Sequence, residues 1–201
     1  MSIAREGYPF IIILAVGSVA LFAFHLVSFA IVLLVLCAFV MFFFRDPERS
    51  FVLSGTQVLS PADGKVVSVR KENDLEVLSI FLSIFDVHIN RAPVGGKITK
   101  IEYRKGKFLA AFDERASNEN EQNSITIDRQ GQPVRFVQIA GLIARRIICW
   151  KKEGEKIEAG ERIGLIKFGS RVDVFLPSGS TINVKVGQKV RAGETVIGEV
   201  K

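Results

Sequence analysis

Hydrophobic and polar positions divide the chain into two regimes. The 35 positions from Phe10 to Phe44 carry no charge. As one straight helix they would extend about 52 Å, against a hydrocarbon core of about 30 Å. The run therefore predicts two short helices of about 15–17 residues, with a break near Ser18–Ser28, where His25 is the most polar residue. Such a hairpin enters a bilayer and returns, or two tilted spans barely cross it. Asp46-Pro47 is expected to end the helical part, because the residue before a proline is driven out of the α region. Beyond Arg49 the period shortens. Short β-branched and aromatic runs alternate with Gly, Pro, Asn and Asp, the pattern of many short strands. These are Lys65–Arg70, Glu76–Phe85, Lys97–Tyr103, Ser124–Asp128, Val134–Ile139, Arg162–Ile166, Val172–Leu176, Thr181–Val186 and Thr195–Val200. The polar stretch Phe112–Asn123 reads as a loop with room for a helical turn.

The strand region contains a repeat. Lys152-Glu153-Gly154-Glu155-Lys156-Ile157-Glu158-Ala159-Gly160-Glu161 returns 33 residues later as Lys185-Val186-Gly187-Gln188-Lys189-Val190-Arg191-Ala192-Gly193-Glu194. Each copy runs on to an Ile-Gly, Ile163-Gly164 and Ile197-Gly198. Two copies are too few for a solenoid and point to two pseudo-symmetric halves of one sandwich. The pattern resembles the hammerhead repeats of biotinyl and lipoyl carrier domains, without the carrier lysine at an exposed hairpin tip. The expected fold is mainly β (α+β), a barrel-sandwich-hybrid-like domain over residues 47–201. An N-terminal hydrophobic helical hairpin over residues 1–46 precedes it.

Composition narrows the setting. With 48% hydrophobic residues, 24% charged and a mean hydropathy of +0.29, the chain is not intrinsically disordered. Its net charge is +6 and its pI near 9.5. Arg5 and Glu6 cancel, so the excess lies after Phe44. Few aromatics interleave with those cations and no recognition-helix pattern occurs, which argues against nucleic acid. An anionic lipid surface, worth about 1 kcal/mol per nearby basic residue, is the simpler partner. Arg5 before the apolar run and Arg45 and Arg49 after it favour both ends on the cytoplasmic side. A secretory signal is not expected, since its apolar stretch would span only about 7–15 residues. Cys37 and Cys149 fall in different regimes, so a disulfide is not expected and a reducing compartment fits. His88 is the one histidine outside the apolar run, and no zinc ligand set can be assembled.

Three stretches carry candidate chemistry. Ser60-Pro61-Ala62-Asp63-Gly64 reads first as a plain turn. Phe85-Asp86-Val87-His88-Ile89-Asn90-Arg91 closes a long apolar run, and in a strand Asp86 and His88 share a face. Phe168-Gly169-Ser170-Arg171-Val172-Asp173-Val174-Phe175 leads through a Gly-Ser step, by default a bulge or bend, into an alternating strand. A Ser, a His and an Asp from separate segments can form a nucleophile, base and orienter. On residue types alone a membrane-bound serine hydrolase and a non-catalytic, membrane-anchored barrel-sandwich adaptor both remain open.

Taken together, these stretches resemble the short, membrane-associated class of phosphatidylserine decarboxylases. The matching residues are Ser60–Val66, Asp86–Gly96, Gly106–Phe112 and Phe168–Asp173, in family order and covering the chain from about Asp46 onward. The resemblance implies a self-processing proenzyme. The Gly169–Ser170 bond breaks without net hydrolysis, leaving a β chain of residues 1–169 and an α chain of residues 170–201. Ser170 becomes a pyruvoyl group, with no metal and no PLP. His88 is the base and Asp63 its orienter, with Asp86 a rival on strand geometry. The lipid's serine amine condenses with the pyruvoyl carbonyl as a Schiff base, carbon dioxide leaves, and phosphatidylethanolamine is released. Ester-linked phosphatidylserine and an archaeal ether-linked analogue share the headgroup, so both remain open as substrates. Longer members carry a second histidine where Phe85 stands, so a reprotonating role for it has no counterpart here; they also have Thr where this chain has Arg171. The implied setting is the cytoplasmic face of the cell membrane, peripheral or hairpin-anchored, with the α and β chains as a heterodimer and a homo-oligomer left open. Phe108, Leu109 and Phe112 are core or bilayer-facing candidates. Arg45, Arg49, Arg145 and Arg146 are candidates for a phosphate.

Overall fold

The computed structural model describes residues 2–51, 55–109, 115–141, 146–167 and 169–201. It divides into two compact units, Met1–Glu48 and Arg49–Lys201.

In the first unit, helices α1 (Tyr8–Ala23) and α2 (Val27–Phe43) are antiparallel partners across a short break. The chain reverses at His25, whose φ of 59° is one that few non-glycine residues adopt. Small groups let the helices approach closely. A Cβ on Gly17 would stand 3.1 Å from Leu33 Cδ1, and Ser18 Oγ donates to the Ala30 carbonyl at 2.8 Å. The outward surface is mostly apolar, with Ile13, Val19, Phe24 and Phe29 all well exposed. Arg5–Ala23 is long and apolar enough to cross a membrane, whereas α2 is shorter. The helical part ends at Phe43, before Asp46-Pro47, because strand β2 (Arg45–Asp46) pairs with β1 (Ser2–Ile3) and closes the unit.

The second unit is built from strands. In chain order they begin β3 (Gln57–Leu59), β4 (Gly64–Glu72), β5 (Leu75–Leu82), β6 (Ile89–Arg91) and β7 (Gly96–Arg104). A single helical turn, α3 (Ala116–Glu119), precedes β8 (Gln122–Arg129) and β9 (Gln132–Ala140). Then follow β10 (Ile147–Cys149), β11 (Lys156–Ile157), β12 (Arg162–Ile166) and β13 (Ser170–Leu176). The last are β14 (Thr181–Ile182), β15 (Lys189–Val190) and β16 (Val196–Glu199). Eight of them form one antiparallel sheet in the order β11-β7-β8-β9-β13-β5-β4-β15. Two three-stranded sheets, β10-β12-β6 and β14-β16-β3, complete the barrel-sandwich. Alternate residues of the large sheet, among them Ile98, Ile125, Phe136, Val172, Leu78 and Val66, pack on Ile163, Val58 and Ile197 of the small sheets. Each such side chain contributes about 1.5–3 kcal/mol on burial.

The pseudo-symmetry is wider than the repeat legible in the sequence. The main-chain N–H of Leu59 donates to the Pro93 carbonyl at 2.8 Å, and that of Arg91 donates to Pro61 at 2.9 Å. Gly154 and Gly187 bond in the same way to Ile98 and Val66, both at 2.8 Å. Ser60–Val66 is thus the structural counterpart of Ala92–Ile98. Gly64 and Gly96 are equivalent crossings where a Cβ would lie 2.2 Å from the Phe81 carbonyl oxygen and 2.1 Å from that of Asp128. The two segments differ at four positions, and the change that adds a charge is at Asp63, where the other half has Gly95.

Some expected strands are shorter than their sequence pattern. Glu76–Phe85 stops at Leu82 because Asp86 folds back on Ser83, taking its N–H at 2.8 Å and its hydroxyl at 2.7 Å. Thr181–Val186 keeps its strand form only to Ile182, since the turn at Gly187 (φ 92°) follows closely. Asp86 therefore closes a turn and His88 lies just before β6, so the shared strand face expected for them does not arise. The helical turn expected within Phe112–Asn123 is α3; Phe112 itself lies outside the described residues.

Candidate active site

Ser170 opens β13, the strand between β5 and β9, where its Cα partners are Leu82 and Ala140. Those two residues end their own strands, so Ser170 sits at one end of the large sheet. It is fully buried, and its hydroxyl has no hydrogen-bond partner among the described residues. Leaving a buried hydroxyl unpaired costs about 1–3 kcal/mol. Gly169 before it has φ 61°, and among the described residues nothing stands within 4 Å of where a Cβ would be. Glycine suits that left-handed backbone, which side chains with a Cβ rarely adopt. Phe168 lies outside the described residues.

Asp63 reaches the same end of the sheet. Lys65 pairs with Phe81, which places Gly64 level with Leu82, so that Asp63 comes in two strands over from Ser170, with β5 between them. Asp63 is buried, and both its oxygens are engaged. Oδ1 accepts the Ala192 N–H at 2.7 Å and Oδ2 accepts Arg49 Nη2 at 2.9 Å. Arg49, whose side chain is largely buried, also pairs with Glu194 at 3.0 Å. Burial pushes the Asp63 carboxyl up from its ordinary value. The Ala192 N–H and the Arg49 guanidinium oppose that rise, and the charge of Asp86 adds to it.

His88 enters through β6. Ile89 pairs with Leu165, and the His88 carbonyl accepts the Ile166 N–H at 3.4 Å, four residues before Ser170. The ring is 2% exposed, and its Nδ1 lies 2.9 Å from the Asp86 main-chain carbonyl. A carbonyl only accepts, so Nδ1 carries the hydrogen and the neutral ring keeps its lone pair on Nε2. Asp86 thus meets the ring through its backbone, while its carboxylate stays with Ser83. The structure brings Ser170 and Asp63 to one sheet end and runs His88 alongside the strand leading to Ser170. The Asp63 oxygens it gives to Arg49 and Ala192.

A buried amide chain braces this region. Asn123 Nδ2 donates to Gln138 Oε1 at 2.9 Å, Gln138 Nε2 donates to Asn90 Oδ1 at 2.9 Å, and Asn90 Nδ2 reaches the Pro61 carbonyl at 3.4 Å. It ties β8, β9 and β6 to the turn carrying Asp63. Of the other candidates, Arg45 stacks 3.9 Å over Phe42, Arg146 is exposed, and Phe108 packs partly buried on the core. Leu109 is half-buried, and Phe112 and Arg145 lie outside the described residues. Both cysteines are free thiols. Among the described residues no group of three His, Cys, Asp or Glu side chains could hold a metal ion. Sequence reasoning offered Arg49 as a phosphate ligand and missed Glu194 and Ala192. Both lie in the second copy of the repeat, which marks them as turn residues and gives no sign of their contacts with Asp63 and Arg49.

A family profile described as phosphatidylserine decarboxylase matches residues 36–198. The chain belongs to the phosphatidylserine decarboxylase family. A phosphatidylserine decarboxylase proenzyme of Desulfotalea psychrophila is 43% identical over 98% of this chain and 96% of its own length. One from Burkholderia multivorans is 46% identical over 99% and 96%. One from Solibacter usitatus is 52% identical over 84% and 82%. Phosphatidylserine decarboxylase membership makes this chain an enzyme and a decarboxylase, and removes the adaptor and the hydrolase from consideration.

Proposed function

We propose that the protein converts phosphatidylserine to phosphatidylethanolamine with a pyruvoyl group that it makes by breaking its own Gly169–Ser170 bond. The supporting observation is a buried serine hydroxyl without a partner, directly after a glycine at φ 61°, in a family whose relatives are named proenzymes. A small, orphaned oxygen at the start of a central strand suits a group made in place from the residue itself.

Ser170 Oγ is a poor nucleophile until a base takes its proton. His88 is that base, acting through Nε2, with Nδ1 anchored on the Asp86 carbonyl. Attack of Oγ on the Gly169 carbonyl carbon moves the acyl group from nitrogen to oxygen. Loss of the Ser170 α-proton then breaks the ester C–O bond and releases the Gly169 carboxylate. The dehydroalanine left at residue 170 takes up water and loses ammonia, giving the pyruvoyl group. Asp63 is the acidic member of the set: Arg49 and the Ala192 N–H fix its carboxylate, and its charge favours the imidazolium. Catalytic hydrogen bonds are commonly completed only as reaction geometry is reached. The pyruvoyl group supplies the carbonyl electron sink for loss of carbon dioxide. The apolar helix pair keeps the enzyme at the bilayer that holds its substrate, with Arg5 and Arg45 favouring the cytoplasmic side.

Intact-mass measurement under denaturing conditions tests this reading. Two chains are expected, residues 1–169 and 170–201, the smaller with a blocked, ketone-reactive N-terminus. A single uncut chain in a preparation that turns over lipid would overturn it.

Asp63→Asn tests the acidic member. Self-cleavage should slow by about 10²-fold or more, and normal processing would remove Asp63 from the set. Because burial raises its carboxyl, the folded protein binds this proton at higher pH than the unfolded chain does. Its contribution to stability is therefore greatest below the ordinary aspartate value and falls as pH rises through the raised one. Wild-type cleavage should weaken on acidification through that window, and the stability profile of Asp63→Asn should be flatter there.

A further inference from the structure

The large sheet has a second face. Along β13, Ser170, Val172 and Val174 point to the core side, so Arg171, Asp173 and Phe175 point to the other. A bulge between Val66 and Ser68 turns Ser68 and Arg70 of β4 to that same side, beside Ser79 of β5 and Arg135 of β9. These residues line a cleft of about 720 Å³, walled by Ser117 of α3. That volume lies in the range of small-ligand pockets, about 300–1,000 Å³. The cleft begins one residue from Ser170 yet lies across the sheet from its side chain.

Its floor is charged and rigid. Arg171 and Asp173 are 5% and 2% exposed, joined Nε to Oδ1 at 3.0 Å and Nη2 to Oδ2 at 3.2 Å. Ser117 Oγ accepts from Arg171 Nη2 and lies 3.4 Å from Asp173 Oδ2. Arg70 donates to Ser79 Oγ at 3.0 Å and stands 3.9 Å from Asp173 and 3.5 Å from Glu72. Arg135 Cζ stands over the Phe175 ring, 3.8 Å from its centroid, and Arg135 has no acidic partner among the described residues. Among the described residues, four arginines and two carboxylates line the cleft.

Stability does not account for this arrangement. A buried ion pair is often no more stabilising than an apolar pair of similar size, and Ala116, Val137 and Ile139 beside the cleft show the apolar solution in use. Guanidinium groups held in fixed planes match the paired oxygens of a phosphate. We propose that this cleft is an anion site for a phosphate-bearing group, with Arg135 and Arg70 as ligands and the Arg171–Asp173 pair as a preset floor. A free phosphate and a lipid headgroup phosphodiester share that chemistry.

Calorimetric titration of the detergent-solubilised full chain separates the two sources. Inorganic phosphate is one titrant and short-chain dihexanoyl phosphatidylglycerol, which carries no serine, is the other, with chloride at matched ionic strength as the control. At least one phosphate-bearing titrant should bind well above chloride, and the tighter one identifies the source. Arg135→Gln should weaken that binding at least tenfold, and Arg135→Lys, which keeps the charge but not the fork, by less. Chain cleavage by Arg135→Gln should match wild type, which also shows that the variant folds. No binding by wild type beyond chloride, or equal binding by Arg135→Gln, would overturn the proposal. The readout is heat and not turnover, so its failure leaves the self-cleavage reading untouched.

Discussion

Ser170→Ala is expected to leave one intact chain, to lose decarboxylation by roughly 10⁴-fold or more, and to be more stable than the uncleaved wild-type precursor. The first two effects share a cause, because without Oγ there is neither an attacking atom nor a route to the pyruvoyl group. The third follows from burial. The hydroxyl is fully enclosed and unpaired, so removing it should recover about 1–3 kcal/mol. For a chain of this size each kcal/mol raises the melting temperature by about 2–4 °C. A structural serine behaves oppositely, its loss lowering stability while activity scales with the folded fraction. Ser170→Cys separates nucleophilicity from shape: its thiol can make the same acyl shift, so slow cleavage should persist. Intact mass, lipid turnover and thermal unfolding read the three outcomes. An uncleaved Ser170→Ala protein that still decarboxylates would end the pyruvoyl account.

What was legible beforehand follows from how many residues carry each signal. The uncharged run from Phe10 to Phe44 is long enough to announce a helix pair, and His25 marked the reversal that its φ of 59° now explains. Strands of five to nine residues, such as β7, β9 and β12, show enough alternation to be read directly. Strands of two or three residues do not. β3, β6, β11 and β15 exist because neighbours pair with them across the pseudo-symmetric halves. That pairing is long-range, so local pattern is silent about it. The same holds at the site. The Gly169-Ser170 step and His88 stand out as residue types, and family resemblance gave them an order. The engagement of Asp63 with Arg49 and Ala192 joins residues far apart in the chain, and no spacing rule reaches that far. The turn at Ser83–Asp86 is the reverse case, a local Asp-to-Ser bond that ended a strand the apolar pattern had extended to Phe85.

His88→Ala should slow self-cleavage by about 10²–10⁴-fold, the usual contribution of a positioned base, and added imidazole should restore part of it. The two ring nitrogens have different surroundings. Nδ1 is held by the Asp86 carbonyl at 2.9 Å, which leaves Nε2 as the basic atom. Free imidazole entering the emptied site supplies that nitrogen without its anchor, so rescue should be partial and should rise with pH as the added imidazolium loses its proton. His88→Gln keeps much of the volume but offers no base, so it should cleave as slowly as His88→Ala while unfolding closer to wild type. That pairing separates proton transfer from packing, since a purely structural histidine would give two variants that differ in cleavage as they differ in stability. If chain cleavage in both variants matches wild type, His88 takes no proton from Ser170, and the base must be sought among the other groups at this end of the sheet.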